Sequence, residues 1–99
     1  MITGKQIDDY VKKRKPTSPF NGIGDAFIEA GIASGLNPIY IFAHACLESD
    51  WGLSSMSYNF FGIGAFDNNP QNGHNYGNAT PRDGIINGAK WIAANYYKK

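Results

Sequence analysis

Apolar and polar positions alternate with the period of a helix in four separate stretches of this chain. In the first, Ile7, Tyr10 and Val11 recur at helical spacing. Thr3, followed three residues later by Gln6, reads as a capping box, so a helix is expected from about Gly4 to Arg14. Pro16 stops it, and the run from Pro16 to Gly22 reads as a loop. A second helix is expected from about Ile23 to Ser34, with Ile23, Ala26, Phe27, Ala30 and Ser34 on one face. Gly35 stands where a left-handed residue ends a helix, so the link to the next helix is very short.

That third stretch opens with Asn37 as a cap and Pro38 at the first helical position. From Ile39 to Leu47 nearly every side chain is apolar, His44 being the main exception, and a helix apolar all round is expected to be buried. It ends at Glu48, Ser49, Asp50 and Trp51, with Gly52 as the stop. Residues 53–58 have the composition of a short helical turn, and Asn59 to Asp67 alternates aromatic, aliphatic and small residues as an extended, partly stranded segment does. Gly62 and Gly64 within it point to close approach of another backbone or a ligand. The polar run from Asn68 to Asn78 reads as a loop or hairpin tip. A fourth helix opens at Thr80 with Pro81 and Asp83, and Ile85, Ala89, Ile92, Ala93 and Tyr96 mark its apolar face. Gly84 and Gly88, four apart, would let that helix approach a neighbour closely.

Ninety-nine residues make one domain with a modest core, and no run is long and apolar enough to span a membrane. No hydrophobic signal region precedes the first helix. A net charge of +1 gives no global pull toward nucleic acid, and the basic run Lys12 to Arg14 and Lys15 reads as a solvated helix end. A single cysteine, Cys46, excludes an internal disulfide and reads as a buried, inert thiol. Only His44, His74 and Cys46 are available as nitrogen or sulfur ligands, at no metal-binding spacing, so neither metal nor cofactor is expected.

Of the eight carboxylates, Glu48 alone interrupts an apolar environment, next to Trp51. Burial there would raise its pKa and keep it protonated, as a general acid requires. The competing reading pairs Glu48 with His44, one turn earlier, as a satisfied core contact. Trp51, Phe61, Phe66 and Tyr76 are candidates for stacking on sugar faces or for shaping a cleft, against a plain role in core packing.

The segment Phe42-Ala-His-Ala-Cys-Leu-Glu48-Ser-Asp-Trp-Gly-Leu-Ser54 resembles the central motif of bacterial endo-β-N-acetylglucosaminidases that cleave peptidoglycan. Three further blocks resemble that family in the same order: Ser18-Pro-Phe-Asn-Gly-Ile-Gly-Asp-Ala-Phe27, Asn59-Phe-Phe-Gly-Ile-Gly-Ala-Phe-Asp67-Asn-Asn-Pro70, and Gly84-Ile-Ile-Asn-Gly-Ala-Lys-Trp-Ile-Ala-Ala-Asn-Tyr96. The resemblance covers roughly residues 17 to 97, with residues 1–16 as an N-terminal helix and basic run in front of it. It implies a mainly helical, lysozyme-like α+β fold around a buried central helix, with a substrate cleft and a small β-hairpin wing. It carries the family's catalytic acid onto Glu48 and a tyrosine close to that acid onto Tyr96, and it makes Asn59 and Gly62 candidates for fixing the cleft floor. The implied partner is the peptidoglycan glycan strand. The expected protein is a monomer that binds neither nucleic acid nor membrane.

The second catalytic group stays open. Asp67 is placed for it but also reads as an Asx-turn cap, Asp50 lies two residues from Glu48, and the substrate's own acetamido group can assist instead, which is the reading preferred. Hydrolysis on the reducing side of N-acetylglucosamine is expected. A lytic transglycosylase or muramidase of the same fold, and a non-catalytic wall-binding module, are the alternatives. The short segment between Asp67 and Thr80 implies a truncated wing and a shallower cleft, and a chain without an export signal fits a phage lysin, a virion-associated module or an excised catalytic domain.

Overall fold

Helix α1 (Gly4–Arg14) starts as its capping box dictates. In the computed structural model, which describes residues 1–63 and 78–97, the Gln6 N–H donates to Thr3 Oγ1 at 3.1 Å and the Thr3 N–H to Gln6 Oε1 at 2.8 Å. Ile7 and Val11 face inward from this helix, and its cationic last turn, Lys12 to Arg14, sits where the helix dipole favours positive charge.

Helix α2 (Gly24–Ser34) has no capping side chain of its own at Ile23. The cap comes from α1 instead: Asp8 Oδ1 accepts the Gly24 N–H at 2.6 Å. The two helices cross almost backbone to backbone, because a Cβ on Gly24 would overlap the Gly4 carbonyl. Gly35, with φ of +80°, ends α2 in the left-handed conformation, and α3 (Pro38–Ser49) leaves at 116° to it. Asn37 caps α3, its Oδ1 accepting the Ile39 N–H at 2.8 Å. Helix α4 (Pro81–Ile92) begins with Thr80 Oγ1 accepting the Asp83 N–H at 3.1 Å, and passes directly into a π-helical turn, Ala93–Tyr97. None of these helices is long and apolar enough to cross a membrane.

The core is an aromatic cluster closed by aliphatic side chains. Phe20 packs edge-on against Phe27 at 5.3 Å and against Phe60 at 4.8 Å between ring centroids, and Phe27 meets Phe42 at 5.1 Å. Ile7, Val11, Ile41, Ala45, Ile85 and Ala89 fill around them. Edge-to-face pairs at these separations add to the burial of the rings themselves.

The central helix is α2, not α3. Helix α2 packs on α1, α3 and α4, whereas α3 buries only Ile41, Ala45 and Ser49. Tyr40 and Leu47 are exposed, Leu47 with 81% of its surface, and Ile39 is exposed at the rim of the groove between α1 and α3. An apolar sequence does not create a covering element, and the described residues supply one for a single face of α3. The expected extended segment is also absent where it can be seen: residues 59–63 form turns, not a strand. The rest of that segment, the hairpin tip and the wing fall on residues 64–77, outside the described residues.

Tyr96 leaves the apolar face assigned to it. Ile85, Ala89, Ile92 and Ala93 are buried as expected, but Tyr96 is 69% exposed. The π turn adds a residue to the last helical repeat, which rotates the following side chains off the stripe that a 3.6-residue period predicts.

Candidate active site

Glu48 stands in the last turn of α3, and the chain turns sharply after it. Asp50, Trp51 and Gly52 follow with φ of 49°, 58° and 84°, three left-handed residues in succession. For a non-glycine residue this conformation costs roughly 1–3 kcal/mol, so tertiary contacts must hold Asp50 and Trp51 in it. Several do. The Asp50 and Trp51 N–H groups both donate to the Cys46 carbonyl, the Gly52 N–H donates to Ser49 Oγ at 2.8 Å, and Ser18 Oγ donates to the Trp51 carbonyl at 2.6 Å.

This turn decides where Trp51 goes. Its ring lies nearly parallel to Tyr10 at 6.0 Å and edge-on to Phe42 at 5.9 Å, in the groove between α1 and α3. That groove has a volume of about 730 Å³ and is lined chiefly by apolar side chains, among them Ile7, Tyr10, Phe42 and Cys46. Trp51 therefore packs toward α1, and the desolvated pocket expected between it and Glu48 does not form among the described residues. Glu48 is exposed.

On its other side Glu48 meets the turn at residues 59–63. A Cβ on Gly62, whose φ is +69°, would stand 3.6 Å from Glu48 Oε1. The carboxyl group thus lies beside a backbone whose handedness glycine supplies without strain. Asn59 fixes this turn from within: its amide donates to the Ile63 carbonyl at 2.7 Å and accepts the Ile63 N–H at 3.1 Å. Phe61 anchors it, buried edge-on to His44 at 5.5 Å and pressed so closely on α4 that a Cβ at Gly88 would overlap its ring. His44 faces Tyr40 and Phe61. Asn59, Phe61 and Gly62 thus come together with Glu48, the first two as framework, both buried.

Behind the same turn, Asn59, Asn78, Asn87 and Trp91 line a cavity of about 220 Å³, where Asn87 Nδ2 donates to Asn78 Oδ1 at 2.9 Å. Tyr96, which does not line this cavity, meets Trp91 edge-on at 5.8 Å. Glu48 lines neither concavity. The sequence pattern does not single out Trp91, although its spacing of four from Asn87 puts the two on one helix face.

Most other carboxylates are occupied elsewhere. Asp8 caps α2, Asp9 pairs with Lys5 at 2.9 Å, Glu29 pairs with Arg82, Asp25 lies against Gly4 at the α1–α2 crossing, and Asp83 stands in the first turn of α4. Among the described carboxylates other than Glu48, this leaves Asp50, exposed at the end of α3. Asp67, Phe66 and Tyr76 lie outside the described residues. No cluster of three metal-ligating side chains occurs among the described ones.

Cys46 is half-buried between α1 and α3, and desolvation pushes its thiol up to about 12. The unfolded thiol ionises near its ordinary value and the folded one does not, so stability is retained below about pH 9 and declines from there toward 12. At pH 8 alkylation of Cys46 by iodoacetamide is expected to run at least about tenfold slower than alkylation of a free thiol, since only the thiolate attacks. Mass spectrometry of a timed reaction reads this directly, and a rate equal to that of free cysteine contradicts the burial.

Comparison with known proteins places the chain. The family described as mannosyl-glycoprotein endo-β-N-acetylglucosaminidase, the glucosaminidase family, matches residues 24–99. A β-N-acetylglucosaminidase of Bacillus subtilis is 36% identical over 90 residues, covering 76% of this chain and 10% of the relative. Bifunctional autolysins of Staphylococcus epidermidis and Staphylococcus aureus are 35% and 33% identical over 98 residues, again with 76% of this chain and with 7% and 8% of those proteins. The chain thus spans only a small part of the curated relatives it matches. With the match running from the start of α2 through α4 and taking in Glu48, Gly62 and Trp91, the chain belongs to the glucosaminidase family of glycoside hydrolases.

Proposed function

We propose that this domain hydrolyses the β-1,4 bond on the reducing side of N-acetylglucosamine in bacterial peptidoglycan, with Glu48 as general acid. The observation that carries the reading is the placement of the Glu48 carboxyl at the end of α3, exposed to an incoming strand and backed by the side-chain-free Gly62. Protonated Glu48 donates to the leaving glycosidic oxygen as the bond to C1 breaks. Water then adds at C1 and returns a proton to the carboxylate.

Because the carboxyl is exposed in the free protein, its desolvation in this reading comes from the bound glycan. Charge developing at C1 is met by the substrate's acetamido oxygen, with Asp67 as the alternative partner. In this reading Tyr96 and Trp91, paired edge-on, offer aromatic faces to a sugar ring.

The supporting comparisons are the family match and the named activities of the relatives. In the same reading the domain acts at the cell wall, as a monomer, and needs neither metal nor cofactor. Digestion of purified peptidoglycan, with mass spectrometry of the soluble products, tests the bond. Fragments with a reducing N-acetylglucosamine end are expected. A reducing muramic end or an anhydro-muramic end assigns the muramidase or the lytic transglycosylase instead, and wall binding without any release assigns a binding module.

A further inference from the structure

Three features converge on the loop between α1 and α2, residues 15–23. The first is a buried serine with two backbone partners: Ser18 Oγ accepts the Phe20 N–H at 3.0 Å and donates to the Trp51 carbonyl at 2.6 Å, thirty-three residues away. The second is the conformation of that distant partner, a left-handed tryptophan between a left-handed Asp50 and Gly52. The third is the position of Phe20, which touches both the turn after Glu48 and the segment that leads to Gly62. A Cβ on Gly52 would stand 3.0 Å from its ring, and its ring packs on Phe60 at 4.8 Å, two residues before Gly62.

The loop is itself prearranged. The Asn21 amide donates to the carbonyls of Lys15, Pro16 and Ser18 at 3.2, 2.9 and 3.0 Å, and the Ser18 N–H donates to the Lys15 carbonyl at 2.9 Å. A rigid loop therefore presents one hydroxyl to the carbonyl of a strained turn three residues after Glu48. Strain of this kind persists only where its surroundings over-determine it, and it gathers where geometry matters for chemistry.

We propose that Ser18 is a positioning residue for catalysis. Its hydroxyl locks the left-handed turn at Asp50–Gly52 and so fixes the end of α3 from which Glu48 reaches the glycosidic oxygen. The inference rests on the reading of Glu48 as the acid. Ser18 touches no substrate and works through the turn: loss of its hydroxyl leaves the Trp51 carbonyl and the Phe20 N–H without this partner and lets the last turn of α3 sample other exits.

The test compares wild type, Ser18→Ala, Ser18→Thr and Val11→Ala, the last loosening the core at α1 while leaving the Ser18 hydroxyl in place. Kinetics on soluble glycan fragments are read alongside the fluorine resonance of Trp51 in protein labelled with 5-fluorotryptophan, assigned with Trp51→Phe. For Ser18→Ala, kcat is expected to fall about tenfold or more with KM held within about twofold, at a temperature where the variant is fully folded. Its Trp51 resonance broadens or splits, while Ser18→Thr restores the single line and most of kcat. An unchanged kcat with a single sharp line overturns the proposal, as does an equal loss of kcat in Val11→Ala. If wild-type protein cleaves no glycan, the function reading fails, and an unaltered Trp51 line in Ser18→Ala then overturns the brace as well.

Discussion

Glu48→Gln is expected to reduce release of soluble glycan fragments from peptidoglycan by about 10³-fold while leaving the fold and wall binding in place. Glutamine keeps the length and planarity of the side chain and removes only the proton that must be donated. Because Glu48 is exposed and faces the Cα of Gly62, the substitution neither opens a cavity nor strands a buried charge, so the melting temperature is expected to stay within about 2 °C of wild type. Two measurements separate catalysis from binding: product analysis by mass spectrometry and co-sedimentation with insoluble wall. Loss of products with retained sedimentation identifies the acid. Release above about a tenth of the wild-type rate shows that another group donates the proton.

The surroundings of Glu48 differ from those the sequence suggests. The expectation from sequence alone is burial against Trp51, and the structure turns Trp51 toward Tyr10 and Phe42 instead. With an open carboxyl, the environment of the acid has to be completed on binding. In the proposed reading Glu48 and the neighbouring Gly62 form one side of the site, and the bound glycan strand completes it.

Signals confined to a few neighbouring residues were legible in the sequence. Thr3 with Gln6, Asn37 with Pro38, Gly35, and Thr80 with Pro81 and Asp83 each mark a helix end, and each stands where the pattern places it, because capping is decided within one turn of chain. The closeness of α4 to a neighbour was legible too, in Gly84 and Gly88. What was not legible depends on partners far along the chain. Leu47 and Ile39 look like core by composition, but whether an apolar face is covered depends on which elements reach it. Trp51 carries no mark of left-handed backbone, since a partner thirty-three residues away, Ser18, holds its carbonyl. The cap of α2 was invisible for the same reason, its Asp8 lying sixteen residues upstream. Alternation between Asn59 and Ile63 resembles a strand, and the Asn59 side chain closes it into a turn by taking the hydrogen bonds a neighbouring strand would have used.

Gly84 offers the sharpest test of how the fold supports the site. It lies in the first half of α4, where alanine would ordinarily raise helix stability by about 0.8–1.0 kcal/mol. Here the added Cβ would run into the carbonyl oxygen of Tyr58, a backbone atom with no rotamer to escape through. Tyr58 is held in turn by its own left-handed conformation and by Phe60 locked under Phe20, so α4 must give way instead. Backing α4 off the turn loosens Phe61 at Gly88 and Ile85 in the core. Gly84→Ala is therefore expected to destabilise the protein by about 2 kcal/mol net of the propensity gain, with the melting temperature falling about 10 °C. Calorimetry measures the effect, and a melting temperature equal to or above wild type shows that helix propensity outweighs the clash and that α4 does not rest on Tyr58. Because Phe61 and Gly62 ride on the displaced turn, the folded fraction of Gly84→Ala should also release glycan fragments more slowly than wild type, about tenfold, since small displacements of a catalytic group cost rate steeply. Full activity in a destabilised Gly84→Ala protein means that the 59–63 turn holds its place beside Glu48 without α4 behind it.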